Sequence, residues 1–140
     1  MKILIPVDGS ASAGRALEHV LVLRSQGLPV EVHLLNVQLP VASGHVKMFL
    51  DSDEIKRVCH DEAVKVLEAS RRRLDEAGVA YRYHIIVGHV TETIVRFAKE
   101  IGAELIVMGS RGTSPLADLV LGSTANKIIQ LADMPVTLVR

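Results

Sequence analysis

Apolar and polar positions change period repeatedly along this chain. Five short runs are dominated by apolar and β-branched residues: KILIPV (2–7), VEVHLLNV (30–37), YRYHIIV (81–87), ELIVM (104–108) and PVTLV (135–139). Near-continuous apolar runs of this length predict strands buried on both faces of a parallel sheet. Between them the apolar positions recur at helical spacing. Ser10 is placed to cap a first helix that ends near Gly27 and turns Ala13, Ala16, Leu17, Val20 and Leu21 inward. A second helix runs from about Asp51 to Ala77, with Asp51 and Glu54 at the spacing of an N-cap and its N3 partner. Its inner face is traced by Ile55, Val58, Cys59, Val66, Leu67, Ser70 and Leu74. A third begins near Thr91, carries Ile94, Val95, Ala98 and Ile101 inward and stops at Gly102. A fourth starts around Ser123 and presents Ala125, Ile128, Ile129 and Ala132.

The order β-α-β-α-β-α-β-α-β predicts an α/β fold, an open parallel five-stranded sheet with helices on both faces. Right-handed crossovers leave two common strand orders, 3-2-1-4-5 and 2-1-3-4-5. The 140 residues fit one domain, 1–140. The segment 38–50, QLPVASGHVKMFL, is longer than a usual strand-to-helix connection and is read as a flap.

Composition narrows the partners. Lys plus Arg and Asp plus Glu both number 16, and the chain has two Phe, two Tyr and no Trp. That balance lacks both the basic footprint and the stacking platforms of a nucleic-acid binder. Cys59, the one cysteine, falls among apolar helical positions and reads as a buried, inert thiol. No apolar run reaches the length of a membrane span or of a signal-peptide core, so a cytoplasmic setting is expected. An anionic ligand would be held by local geometry, not by overall charge.

In sheets of this kind ligands lie beyond the carboxyl ends of the strands, where the strand order reverses. With order 3-2-1-4-5 that point falls between strands one and four. Strand one ends in Asp8-Gly9-Ser10, and strand four runs into Gly109, Gly112 and Gly122, the last followed by Ser123-Thr124. Gly109 and Gly112 suit a tight turn that brings backbone N–H groups near a ligand, and Gly122 stands at a helix start, which attracts phosphate. Two better-known phosphate signatures fail. No G-x-G-x-x-G follows strand one, and GSASAGRA (9–16) has Arg15 and Ala16 where a P-loop needs Lys and Ser or Thr. His33 and His84 are expected on neighbouring strands as a satisfied interior pair, and Arg71-Arg72-Arg73 on a solvated helix face.

The segment Gly109, SR, Gly112, TSPLADLVL, Gly122, Ser123 has the G-x2-G-x9-G-[ST] pattern of the nucleotide-binding branch of the universal stress protein family. The resemblance extends over essentially the whole chain, through ILIPVDGS, VGHVTETIVRFAKEIGAELIVMGSRG and MPVTLVR. It implies a Rossmann-like sheet of order 3-2-1-4-5 and ATP at the switch point, with Mg²⁺ or Mn²⁺ on the phosphates. It further implies that Asp8 touches the ribose or assists the metal, that Val37 meets adenine through its backbone, and that Gly109 approaches the ribose. Arg111, Gly112, Gly122, Ser123 and Thr124 would line the phosphates, mostly through backbone N–H groups. The chain departs from the family at Gly88-His89-Val90, where relatives often carry Gly-Asp-Pro.

The function expected is that of a small cytoplasmic ATP-binding regulatory protein of the stress-response type. The competing readings are a slow ATPase or nucleotidyl-transfer enzyme and a dimeric interaction module with a vestigial site. No catalytic residue and no protein-built metal centre is assigned. The apolar PVTLV, at a sheet edge, predicts a homodimer through strand five, Pro135 to Val139.

Overall fold

The structure is a computed structural model and describes residues 1–40, 52–111 and 121–140. Its elements are β1 (Lys2–Pro6), α1 (Ala11–Ser25), β2 (Glu31–Gln38), α2 (Ser52–Glu76), β3 (Tyr81–Val87), α3 (Val90–Glu100), β4 (Leu105–Gly109), α4 (Ser123–Leu131) and β5 (Val136–Val139). All strand pairs are parallel, in the order β3-β2-β1-β4-β5. Asp51, Gly112 and most of the 38–50 segment lie outside the described residues.

Alternation along β1 explains the layering. Ile3 and Ile5 face one side, with Val32, Leu34 and Val107, and pack against Ala16, Leu17 and Val20 of α1 and Leu67 and Leu74 of α2. Leu4 faces the other side, with Leu35, Ile106 and Met108, against Ile94, Phe97 and Ala98 of α3 and Ala125 and Ile128 of α4. Burying one such Ile or Leu side chain contributes roughly 1.5–3 kcal/mol. The central strand therefore clamps both helical layers.

Three expectations are corrected. Val58 is 54% exposed and Ile129 47% exposed, although both were expected to face inward. The buried face of α2 runs through Cys59, Ala63, Leu67, Ser70 and Leu74, so Val58 points about 100° away from it. In α4 only Ala125 and Ile128 are buried, and Ile129 turns outward for the same reason. The run at 81–87 is not buried on both faces: as β3 it is an edge strand, with Tyr83 and Val87 exposed.

Candidate functional site

Beyond the carboxyl ends of β1 and β4 lies a cavity of about 330 Å³, within the range of small-ligand sites. Asp8, Val37, Gly109, Arg111, Gly122, Ser123 and Thr124 all line it. Every described site residue expected from the sequence is thus brought to one place. Its apolar wall was not foreseen: Leu35 and Met108 from the sheet, with Val90 and Ile94 from α3. The one available signal was the i, i+4 spacing of Val90 and Ile94.

The cavity begins where β1 stops short of its neighbour. Pro6 pairs with Leu35, whereas β2 continues to Gln38. The Leu35 carbonyl faces β1 and accepts from the Val7 N–H at 2.8 Å, and the Gln38 carbonyl faces β3 and accepts from the Gly88 N–H at 2.9 Å. Peptide groups alternate sides along a strand, so the N–H and C=O of Val37 point toward the vacated place in line with β1. From the opposite side, the N–H groups of Ile106 and Ser110 bond to carbonyls of Pro135 and Val139, next to and within β5. By the same alternation the Gly109 peptide groups face β1. Two strands thus present main-chain edges to one notch.

Gly109 has a structural reason that the sequence did not reveal. A Cβ there would overlap Ser12 of α1, lying 2.7 Å from its backbone carbonyl carbon as well as on its hydroxyl. Ser12 is buried, and its Oγ also receives the Arg111 N–H at 3.4 Å. The close approach at Gly109 is therefore one of helix to strand. Its backbone remains in the cavity wall.

Gly122 is the N-cap of α4, with φ −58 and ψ 147, a conformation open to any residue. Its own N–H donates to the Ser110 carbonyl at 2.8 Å and is not among the donors left for a ligand. The first intrahelical bond runs from Asn126 to Gly122 at 3.0 Å. The N–H groups of Ser123, Thr124 and Ala125 therefore have no intrahelical acceptor. Gly122 supplies no side-chain cap, and the first turn of α4 carries no acidic residue. Among the described residues the helix start presents open donors, with partial positive charge, to the cavity.

Asp8 lines the same cavity. One carboxylate oxygen accepts from the Ser10 N–H at 2.9 Å, which orients the group at the cavity rim. Among the described residues no cluster of three or more His, Cys, Asp or Glu could hold a metal. A hard cation here would use Asp8 and take its remaining ligands from bound phosphate and water, as Mg²⁺ commonly does.

His33 and His84 do meet, away from the cavity. His33 Nδ1 and His84 Nε2 are 3.0 Å apart with nearly parallel rings, and His33 Nε2 lies 2.8 Å from Glu31 Oε1. Burial, then the neighbouring His33 and Arg82, push His84 below the ordinary histidine value.

Comparison with known proteins agrees with this fold. The model of the universal stress protein family matches residues 1–140. Universal stress protein YxiE of Bacillus subtilis is 32% identical over 148 residues, covering 99% of this chain and 98% of that protein. Universal stress protein MJ0577 of Methanocaldococcus jannaschii is 31% identical over 153 residues, covering 99% and 94%. The solved structure of MJ0577 superposes with a TM-score of 0.82 at 33% identity, over 99% of this chain and 94% of that one. A universal stress protein from Archaeoglobus fulgidus, solved in complex with dAMP, gives a TM-score of 0.66 at 26% identity, over 100% of this chain and 98% of that one.

Proposed function

The chain belongs to the universal stress protein family, and we propose that it is a small cytoplasmic regulatory protein, one domain over residues 1–140, that binds ATP in the cleft between β1 and β4. The observation that carries this reading is the pairing, in one cavity, of the open main-chain edge at Val37 with the uncapped start of α4. The first offers a donor and an acceptor side by side, which matches N1 and the N6 amino group of adenine. The second offers N–H groups that have no partner among the described residues, and no carboxylate in its first turn, which suits phosphates. Leu35, Val90, Ile94 and Met108 supply the apolar surroundings that a flat base needs. Asp8 lines the same cavity, where it can accept from a ribose hydroxyl or help hold a Mg²⁺ or Mn²⁺ ion on the phosphates. The dAMP complex of the Archaeoglobus fulgidus relative supports an adenine nucleotide.

Among the described residues the site offers binding groups but no evident means of hydrolysis. Phosphoryl transfer needs a positioned nucleophile and stabilisation of the developing charge. The described cavity lining contains one carboxylate, Asp8. Turnover of ATP with Mg²⁺ present is expected to stay below about 1 s⁻¹, the low end of ordinary enzymes. The proposal extends to a homodimer through β5, whose outer edge is unpaired among the described residues. Light scattering of wild type and of a Val136→Lys, Leu138→Lys variant checks it: a wild type that is monomeric at micromolar concentration refutes the dimer.

The decisive experiment is mass spectrometry of small molecules released from the purified protein, with calorimetric titration of ATP, ADP, AMP and GTP into stripped protein. Adenine nucleotides are expected to bind, ATP tightest. Absence of adenine-nucleotide binding at millimolar concentration would falsify the proposal.

A further inference from the structure

One buried polar residue in the core of the sheet has no part in the contacts so far described. Asn36 is 3% exposed, near the carboxyl end of β2 in an otherwise apolar stretch. Its Nδ2 donates to the Val7 carbonyl at 2.8 Å, and its Oδ1 accepts from Gln38 Nε2 at 2.7 Å. The two partners fix the orientation of the amide, because a carbonyl can only accept and an NH₂ must donate. Asn36 does not line the cavity.

The position of Val7 gives this contact its meaning. Pro6 pairs with Leu35, so Val7 stands opposite Asn36. In a parallel ladder such a residue donates to the carbonyl before its opposite number and accepts from the N–H after it. The first of these bonds is made, Val7 N–H to Leu35 O at 2.8 Å. The second would run from the Val37 N–H to the Val7 carbonyl. That carbonyl instead takes the Asn36 side chain, and among the described residues the ladder ends there.

We infer that Asn36 is a positioning residue: by occupying the Val7 carbonyl it stops the β1–β2 ladder one rung early and holds the Val37 N–H open as the base-reading donor of the cleft. Gln38, through its bond to Oδ1, keeps the Asn36 amide turned toward Val7. An apolar residue at 36 would leave the Val7 carbonyl without its partner, and the donor that the parallel ladder would bring to it is the Val37 N–H. Closing that rung would bury the donor that the base needs. This rests on the cleft being a nucleobase site, but the hydrogen-bond exchange at its centre exists without a ligand.

The test separates the two. Amide hydrogen exchange is followed by NMR in nucleotide-free protein, for wild type, Asn36→Leu, Asn36→Asp and Gln38→Ala. In wild type the Val37 N–H is expected to exchange at least tenfold faster than the Val7 N–H, which is bonded within the ladder. In Asn36→Leu, and in Asn36→Asp at a pH where the carboxylate is ionised, nothing at 36 can donate to Val7, and the Val37 N–H becomes protected to a similar degree as Val7. Gln38→Ala, at the half-buried end of the strand, gives partial protection and guards against a variant at 36 that does not fold. Affinity for ATP falls about tenfold in the two Asn36 variants, as for loss of one hydrogen bond, while affinity for inorganic tripolyphosphate is unchanged. A Val37 N–H already protected in nucleotide-free wild type, or still open in a folded Asn36→Leu, overturns the role of Asn36 and leaves the nucleotide reading standing. Open exchange as expected, with no nucleotide bound by wild type, overturns the base-reading role while the ladder arrest stands.

Discussion

Two helix starts flank the cleft, and their N-caps differ by one side chain. At the first, Ser10 is the N-cap of α1, and its hydroxyl accepts from the Ala13 N–H at 3.1 Å. At the second, Gly122 is the N-cap of α4 and offers nothing. The cap conformations are nearly the same, φ −74 and ψ 156 against φ −58 and ψ 147. Glycine at 122 is therefore not demanded by backbone geometry. What it does is withhold a cap, so that the first-turn donors wait for something else. α3 also starts without a side-chain cap, at His89, but it carries Glu92 in its first turn. Only α4, among the helices with described caps, lacks a side-chain cap while lining the cavity with its own cap and first two helical residues, Ser123 and Thr124. Leaving it so is inexpensive, since Gly at an N-cap costs only a few tenths of a kcal/mol relative to Ser or Asp.

Gly109 of β4 touches Ser12 of α1, and wedging the two apart should have the largest effect. Gly109→Ala sets a Cβ against the backbone and hydroxyl of Ser12. A loss of about 1–3 kcal/mol in folding stability is expected, the range for overpacking a tight contact, together with weaker ATP binding because both cleft walls move. Ser12→Gly in the same chain should restore part of both. Urea denaturation and calorimetry read the two quantities. Unchanged stability in Gly109→Ala would show that α1 and β4 are not wedged at this point.

How much of this was legible beforehand depends on what kind of fact it was. Spacing was legible in part: the alternation of runs left two strand orders, the family resemblance implied 3-2-1-4-5, and with that order the glycines at 109, 112 and 122 led to the cavity. Causes were less so. Gly109 reads in the sequence as room for a ligand, yet the atom that excludes a Cβ belongs to Ser12, 97 positions earlier in the chain. No local pattern encodes that distance. Val37 came from family resemblance alone, because which peptide edge is open depends on where the neighbouring strand stops. Asn36 was overlooked, although a lone amide inside HLLNV is a physical signal that a ladder is being interrupted. Helical period located α2, but not to the 100° that separates Val58 from Cys59.

Gly122→Asp converts the open helix start into a closed one. Its carboxylate would cap α4 and sit at the positive end of the helix, so stability should rise by about 0.3–1 kcal/mol. The same carboxylate occupies the phosphate donors and repels anions. ATP affinity should drop at least about tenfold, more than 1.4 kcal/mol. Opposite signs for stability and binding are the signature. If both quantities stay as in wild type, the absent cap is irrelevant to ligand binding and the contrast between the two helix starts is accidental.

Ser10→Ala opens the closed helix start instead. It removes the acceptor for the Ala13 N–H, and loss of an N-cap costs about 1 kcal/mol. Thermal unfolding should report that loss, while ATP affinity stays within about twofold, since the phosphates are assigned to the other helix and this effect is below 0.5 kcal/mol. A large fall in affinity with little change in stability would move the phosphate site to α1.

The finest distinction is within α4 itself, between the hydroxyl at its start and the ammonium one turn on. Ser123 is exposed and lines the cavity, so its hydroxyl can add a bond to phosphate beyond what the main chain offers. Because that bond competes with water, Ser123→Ala should weaken ATP binding by about 0.5 kcal/mol, the low end for one hydrogen bond. Lys127 lies one turn further and does not line the cavity. Its charge acts only at a distance and through solvent, where screening leaves little at physiological salt. Lys127→Ala should therefore cost less than Ser123→Ala, about 0.3 kcal/mol at most by the scale of exposed charges near helix ends. Titrations at low and high salt sharpen the ranking: the Lys127 effect should vanish with added salt, and the Ser123 effect should persist. A reversed order would mean that long-range charge holds the phosphates and that the uncapped start of α4 does not.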